Sequence, residues 1–130
     1  MTRKHTLAAD AATPINVVLV TLDNHVNGAI TRAEKRLACD LPAVNFKSFA
    51  ATEWEADASA LKHCKDAIAS GDIIIVTMLF MEPHIKAISD ALAARRDSCD
   101  AMVCCMSAPE IMQFTRMGRF TMDGEPSGPV

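Results

Sequence analysis

Three mostly apolar runs and one partly alternating stretch punctuate the chain, and between them apolar positions return every three or four residues. The first run, "INVVLVTL" (15–22), is rich in β-branched residues and almost free of polar ones, which suits a strand buried on both faces. In "NHVNGAITRAEKRLACD", which follows, Val26, Ala29, Ile30, Ala33 and Leu37 fall at helical spacing. "AVNFKSFA" (43–50) alternates in part and predicts a second strand. Thr52-x-x-Glu55 has the form of a capping box, ahead of a helix with Trp54, Ala58, Leu61 and Ile68 on its apolar stripe and Gly71 at its stop. "DIIIVTML" (72–79) predicts the third strand. Met81, Ile85, Ile88 and Leu92 mark a helix that closes on Arg95 and Arg96, where positive charge complements the helix dipole. "DAMVCCM" (100–106) predicts the fourth strand, and Ser107-x-x-Glu110 a second capping box opening the helix "APEIMQFTRM", with Gly118 just past its end.

The order βαβαβαβα implies an α/β domain with a parallel sheet and helices on both faces. Right-handed crossovers favour a flavodoxin-like open sheet of order 2-1-3-4, with the first strand central. The expected organisation is a loose leader over 1–14, an α/β domain over 15–122, and a Pro/Gly-rich linker over 123–130. Such folds commonly carry one more strand–helix unit to cover the sheet edge, so the domain is expected to be incomplete, a fragment of something longer.

Composition narrows the classes of function. A chain of 130 residues is sized for one domain, and with half of it hydrophobic it can form a real core. A net charge of −3, with no basic block and no tyrosine, argues against nucleic acid and anionic membrane as partners. The longest apolar run is too short to span a bilayer, so no integral membrane segment is expected. Five cysteines, an odd number without a CxxC, fit reduced thiols in a cytoplasmic chain better than a disulfide framework. No Gly-rich phosphate loop is present.

Ligands of open α/β sheets bind at the carboxyl ends of the strands. The pattern places Asp23, Asn24 and His25 there after the first strand, Ala51 to Glu53 after the second, Met78 to His84 after the third, and Ser107 to Glu110 after the fourth. Asp23 or Asn24 can cap the first helix, with His25 a first-turn residue. Glu82 and His84 can be first-turn residues of the third helix around Pro83 at N1, the acid suiting the dipole; alternatively they are a carboxylate and an imidazole for ligation or proton transfer. If the loops converge, His25, Glu82 and His84 share one small volume. Leu79 and Phe80 have no place on the stripe of the third helix. They are expected to be buried against the sheet edge or a neighbouring domain, which makes "MLFMEPH" a docking surface with Glu82 and His84 as its polar rim.

Two resemblances bear on function. Asp23-x-His25-x-x-Gly28 is similar to the D-x-H-x-x-G pattern of corrinoid-binding domains, in which the His ligates cobalt and the Asp orients it; Thr77-x-Leu79 loosely resembles their second motif. The Gly-Gly of that family is missing, with "CCMSA" in its place. The second resemblance is longer. "VVLVTLDNH" (17–25), "EWEADASALKHCKDAIASGDIIIVTMLFMEPHI" (53–85) and "ARRDSCDAMVCCMSAPEIMQFTRMGRFTMDG" (94–124) resemble the N-terminal region of magnesium chelatase H subunits, the bacteriochlorophyll-pathway type above all. Cobaltochelatase large subunits are more distant. This resemblance implies a part of a porphyrin-binding subunit whose enzyme inserts Mg2+ into protoporphyrin IX. ATP is used there by two AAA+-type partner subunits. It implies no catalytic residue and no metal site in this chain, no cofactor bound to it, and the rest of the H subunit as its nearest partner. The alternative is a self-contained cobalamin-binding domain.

Overall fold

The computed structural model describes residues 14–23 and 27–122. Its elements are strand β1 (Ile15–Thr21), helix α1 (Asn27–Asp40), β2 (Val44–Ala50), a 3-10 turn (Ala51–Glu53), α2 (Ala58–Ser70), β3 (Ile73–Thr77), α3 (Glu82–Arg95), β4 (Ala101–Cys105), α4 (Pro109–Met112), β5 (Arg116–Met117) and β6 (Phe120–Thr121). They form one open sheet of order β2-β1-β3-β4-β5-β6. The first four strands are mutually parallel, in the expected flavodoxin-like order, and the last two are antiparallel additions.

Register and burial separate the two faces of the sheet. Val18, Ile74 and Met102 stand side by side, as do Val20, Val76 and Cys104, and all six are buried. They share one core with Cys64 and Ile68 of α2, Ile85, Ile88 and Leu92 of α3, and Ile111 of α4. Removing each large side chain from water contributes roughly 1.5–3 kcal/mol, so this face dominates the hydrophobic stabilisation. On the opposite face Val17, Ile73 and Ala101 align, as do Leu19, Ile75 and Val103, and these are only half-buried. Helix α1 belongs to that side: its Leu37 and Ala38 line a shallow groove with Val44 and Phe46 of β2, and Ile30 is its one buried residue.

At the amino ends of the strands, Asp72 accepts the Asn16 N–H at 2.8 Å, and its own N–H and C=O bond to Asn16 and Asp100. Gly71 stops α2 in an extended conformation. It is required there by space, since a Cβ would stand 2.9 Å from Ile74 Cγ1 and 3.1 Å from Val18 Cγ2.

Several expectations need correction. The segment "APEIMQFTRM" is a single turn, Pro109–Met112, followed by a hairpin. The buried Thr115 hydroxyl accepts the Cys104 N–H at 2.9 Å and donates to the Cys104 carbonyl at 3.0 Å. Arg116 donates to the carbonyls of Arg96 and Cys99. These bonds draw the chain beside β4 instead of letting it continue as a helix. The sheet therefore does not end at four strands. Gly118, at φ +62, is the first residue of a two-residue hairpin loop, where the II′ turn requires a positive φ.

Neither capping box forms. Asp57 caps α2 through the Ser59 N–H at 2.9 Å, and Trp54 precedes the helix as a buried turn residue. Ser107 instead accepts the Leu79 N–H at 3.1 Å. The helices are also unequally shared, with α2, α3 and α4 on one face and α1 on the other. The leader over 1–13 and the tail over 123–130 lie outside the described residues.

Candidate functional site

The carboxyl edge of the sheet is built from four strand ends. After β1 come Leu22 and Asp23, and the Thr52 N–H bonds to the Leu22 carbonyl at 2.9 Å, tying the β1 and β2 loops together. Asp23 and Glu53 line a cleft of about 180 Å³ with Thr21, Asn27 and Ser48. That volume is below the range of ordinary organic-ligand pockets and far too small for a macrocycle. Asn24 and His25 lie outside the described residues, so the proposed convergence of His25 with Glu82 and His84 does too. Gly28 is exposed on the first turn of α1.

The β3 and β4 loops are stitched more firmly. Each strand is followed directly by a methionine with positive φ, Met78 at 63° and Met106 at 47°. The Met78 N–H bonds to the Met106 carbonyl at 2.9 Å, and the Ala108 N–H to the Leu79 carbonyl at 2.9 Å. A non-glycine residue in this region costs of order 1–3 kcal/mol and persists where its surroundings over-determine it. The distortion turns side chains outward: Phe80 is 60% and Met106 69% exposed, and Met78 and Met81 are exposed as well. Leu79 points the other way and is fully buried in the core. The two apolar residues of this loop thus divide, Leu79 into its own domain and Phe80 into solvent.

Glu82 and His84 divide as well. Glu82 is the first residue of α3 and is exposed, with its carboxylate 2.8 Å from Lys86 Nζ. The hydrogen bond and charge of Lys86 hold the carboxyl below the ordinary range, and Glu82 holds the ammonium above its own. His84 is buried rather than on a rim. Its ring meets Trp54 edge-on, with centroids 5.9 Å apart and planes at 89°. Trp54 Nε1 and His84 Nδ1 are both buried without a hydrogen-bond partner among the described residues. This pair anchors the β2 loop to α3. Among the described residues, no group of three or more His, Cys, Asp or Glu side chains is placed to hold a metal, and no helix is long and apolar enough to cross a membrane.

Residues 16–130 match the family model described as "Domain of unknown function (DUF3479)". The chain belongs to the DUF3479 family. Over 125 residues it is 37% identical to the magnesium-chelatase H subunit of Cereibacter sphaeroides, a match covering 95% of this chain and 10% of that protein. The H subunit of Rhodobacter capsulatus is 36% identical over 115 residues, covering 88% of this chain and 10% of the relative. The chloroplastic ChlH subunit of Oryza sativa subsp. indica is 27% identical over 111 residues, covering 83% and 8%. This chain thus spans about a tenth of the length of the relatives it matches.

In this DUF3479 domain, Met78 to His84 follow the third strand and Ser107 to Glu110 the fourth, as the sequence pattern places them, but the most unusual parts of these loops were not legible. The paired left-handed methionines and the Trp54–His84 contact were not anticipated. The one signal for them was the recurrence of a methionine directly after two apolar runs, at Met78 and Met106.

Proposed function

We propose that this chain is a docking domain of a magnesium chelatase H subunit. The enzyme it serves inserts Mg2+ into protoporphyrin IX, with ATP hydrolysed by two AAA+-type partner subunits. Identity of 37% to one such H subunit across 95% of the chain carries this reading. The domain's part is mechanical. Glu82 is engaged with Lys86 and His84 is packed on Trp54, which suits neither for acid–base work. Met78, Phe80, Met81 and Met106 instead offer an apolar rim on a tightly bonded backbone, a suitable surface for the rest of the subunit. Adaptable methionines around one aromatic anchor are typical of docking surfaces. The relatives' names favour this reading over a corrinoid-binding domain.

The test is reconstitution of a full-length H subunit containing this chain with both partner subunits, ATP, Mg2+ and protoporphyrin IX. Deleting residues 14–122 is expected to lower the chelation rate markedly. Unchanged turnover together with unchanged porphyrin affinity would overturn the proposal.

A further inference from the structure

The second face of the sheet is apolar over its whole width, and among the described residues α1 is the one helix on it. Parallel sheets bury both faces, because their crossovers supply helices to each. Here Val17 and Leu19 of β1, Ile73 and Ile75 of β3, and Val103 of β4 remain half-buried on the side away from α2, α3 and α4. The surface continues into the hairpin. Met117 pairs with Ala101 and with Phe120, so both large side chains stand on the same open face. They are 42% and 54% exposed. Among the described residues, helix α1 lies at the β2 end of this face, where Leu37 and Ala38 line a groove with Val44 and Phe46.

We infer that this face is the seat of one amphipathic helix that lies beside α1 and is supplied by the same polypeptide, from the part of the H subunit outside this chain. The inference rests on the H-subunit reading and concerns a different surface from the Met78–Phe80 rim. Width selects the occupant. The sheet's six strands span five inter-strand spacings, roughly 24 Å in all, of which α1 takes the β2 end. One helix with its side chains is about 10–12 Å across, so a single helix fits beside α1. A second copy of this domain does not fit sheet against sheet, because stacked sheets approach to about 10 Å and α1 stands in that space. The relatives supply the source: about nine-tenths of their length lies outside the match, while this chain's own long helices, α2 and α3, are committed to the other face.

The experiment is residue-resolved hydroxyl-radical footprinting of a full-length H subunit, isolated as a monomer without its partner subunits. Met117 and Phe120 are expected to be oxidised several-fold more slowly than exposed Met and Phe residues of the same protein. Oxidation of both at the fully exposed rate in the monomer overturns the inference, whether or not protection appears on adding partner subunits or in a dimer fraction. Failure of the H-subunit reading looks different: the same monomer then binds no protoporphyrin, whatever its footprint.

Discussion

Burial decides how the five cysteines behave. Cys64 and Cys104 lie in the core, and desolvation pushes each thiol up to about 12. Burial also raises Cys99, against the opposing pull of the Arg116 guanidinium. Cys39 and Cys105 are exposed. The thiolate is the reactive form, so at about pH 8 Cys39 and Cys105 are expected to be alkylated rapidly while the other three resist until denaturant is added. Peptide mapping after a short alkylation pulse checks this, and labelling of Cys104 as fast as Cys105 would contradict the packing. A thiol raised on folding keeps the folded state protonated while the unfolded chain ionises, so stability falls as pH rises from 9.0 towards about 12.

Among the elements, the β5–β6 hairpin depends most on individual side chains. Thr115 satisfies both the N–H and the C=O of Cys104, work that a longer strand would do with its backbone. Thr115→Val keeps the shape and removes both bonds, leaving buried backbone groups unpaired at a cost of about 1–3 kcal/mol. Thermal denaturation and amide exchange check it: Tm falls and the Cys104 amide exchanges faster, whereas unchanged protection at Cys104 refutes the role. This dependence also explains what could be read from sequence. Strands β1, β3 and β4 were legible because each is an apolar run with no competing period, and β2 because its apolar and polar residues alternate in part. Strands β5 and β6 have two residues each and no period at all. What creates them is the reach of Thr115 and Arg116 across to β4 and the chain before it, which no local pattern encodes. The capping boxes failed for a related reason. Asp57 outcompetes Thr52 by lying directly before the helix, and Ser107 is drawn away to the Leu79 amide. At the candidate edge, α3 begins at Glu82 with Met81 as its N-cap, so Pro83 stands second in the helix rather than at the expected N1, and Glu82 and His84 both fall in the first turn. Their opposite fates depend on Trp54, whose approach is set by the turn after β2.

At the scale of the whole molecule, the domain has one finished face, one half-covered face and one exposed apolar edge. A domain that completes itself inside a larger subunit accounts for all three. The edge tests this most directly, because docking and chemistry make opposite demands on Phe80 and Glu82. Phe80 touches little within the domain, so Phe80→Ala should leave the 130-residue chain as stable as before. In a full-length H subunit the same change should lower thermal stability or assembly. Glu82→Gln removes only an exposed pair with Lys86 and should leave chelation nearly intact. The deciding measurement is therefore the chelation rate and melting temperature of full-length Phe80→Ala and Glu82→Gln subunits, side by side. Docking predicts reduced stability for the first and near-normal turnover for the second. A severe loss of turnover in Glu82→Gln at unchanged stability would show the edge to be a chemical site and contradict the account.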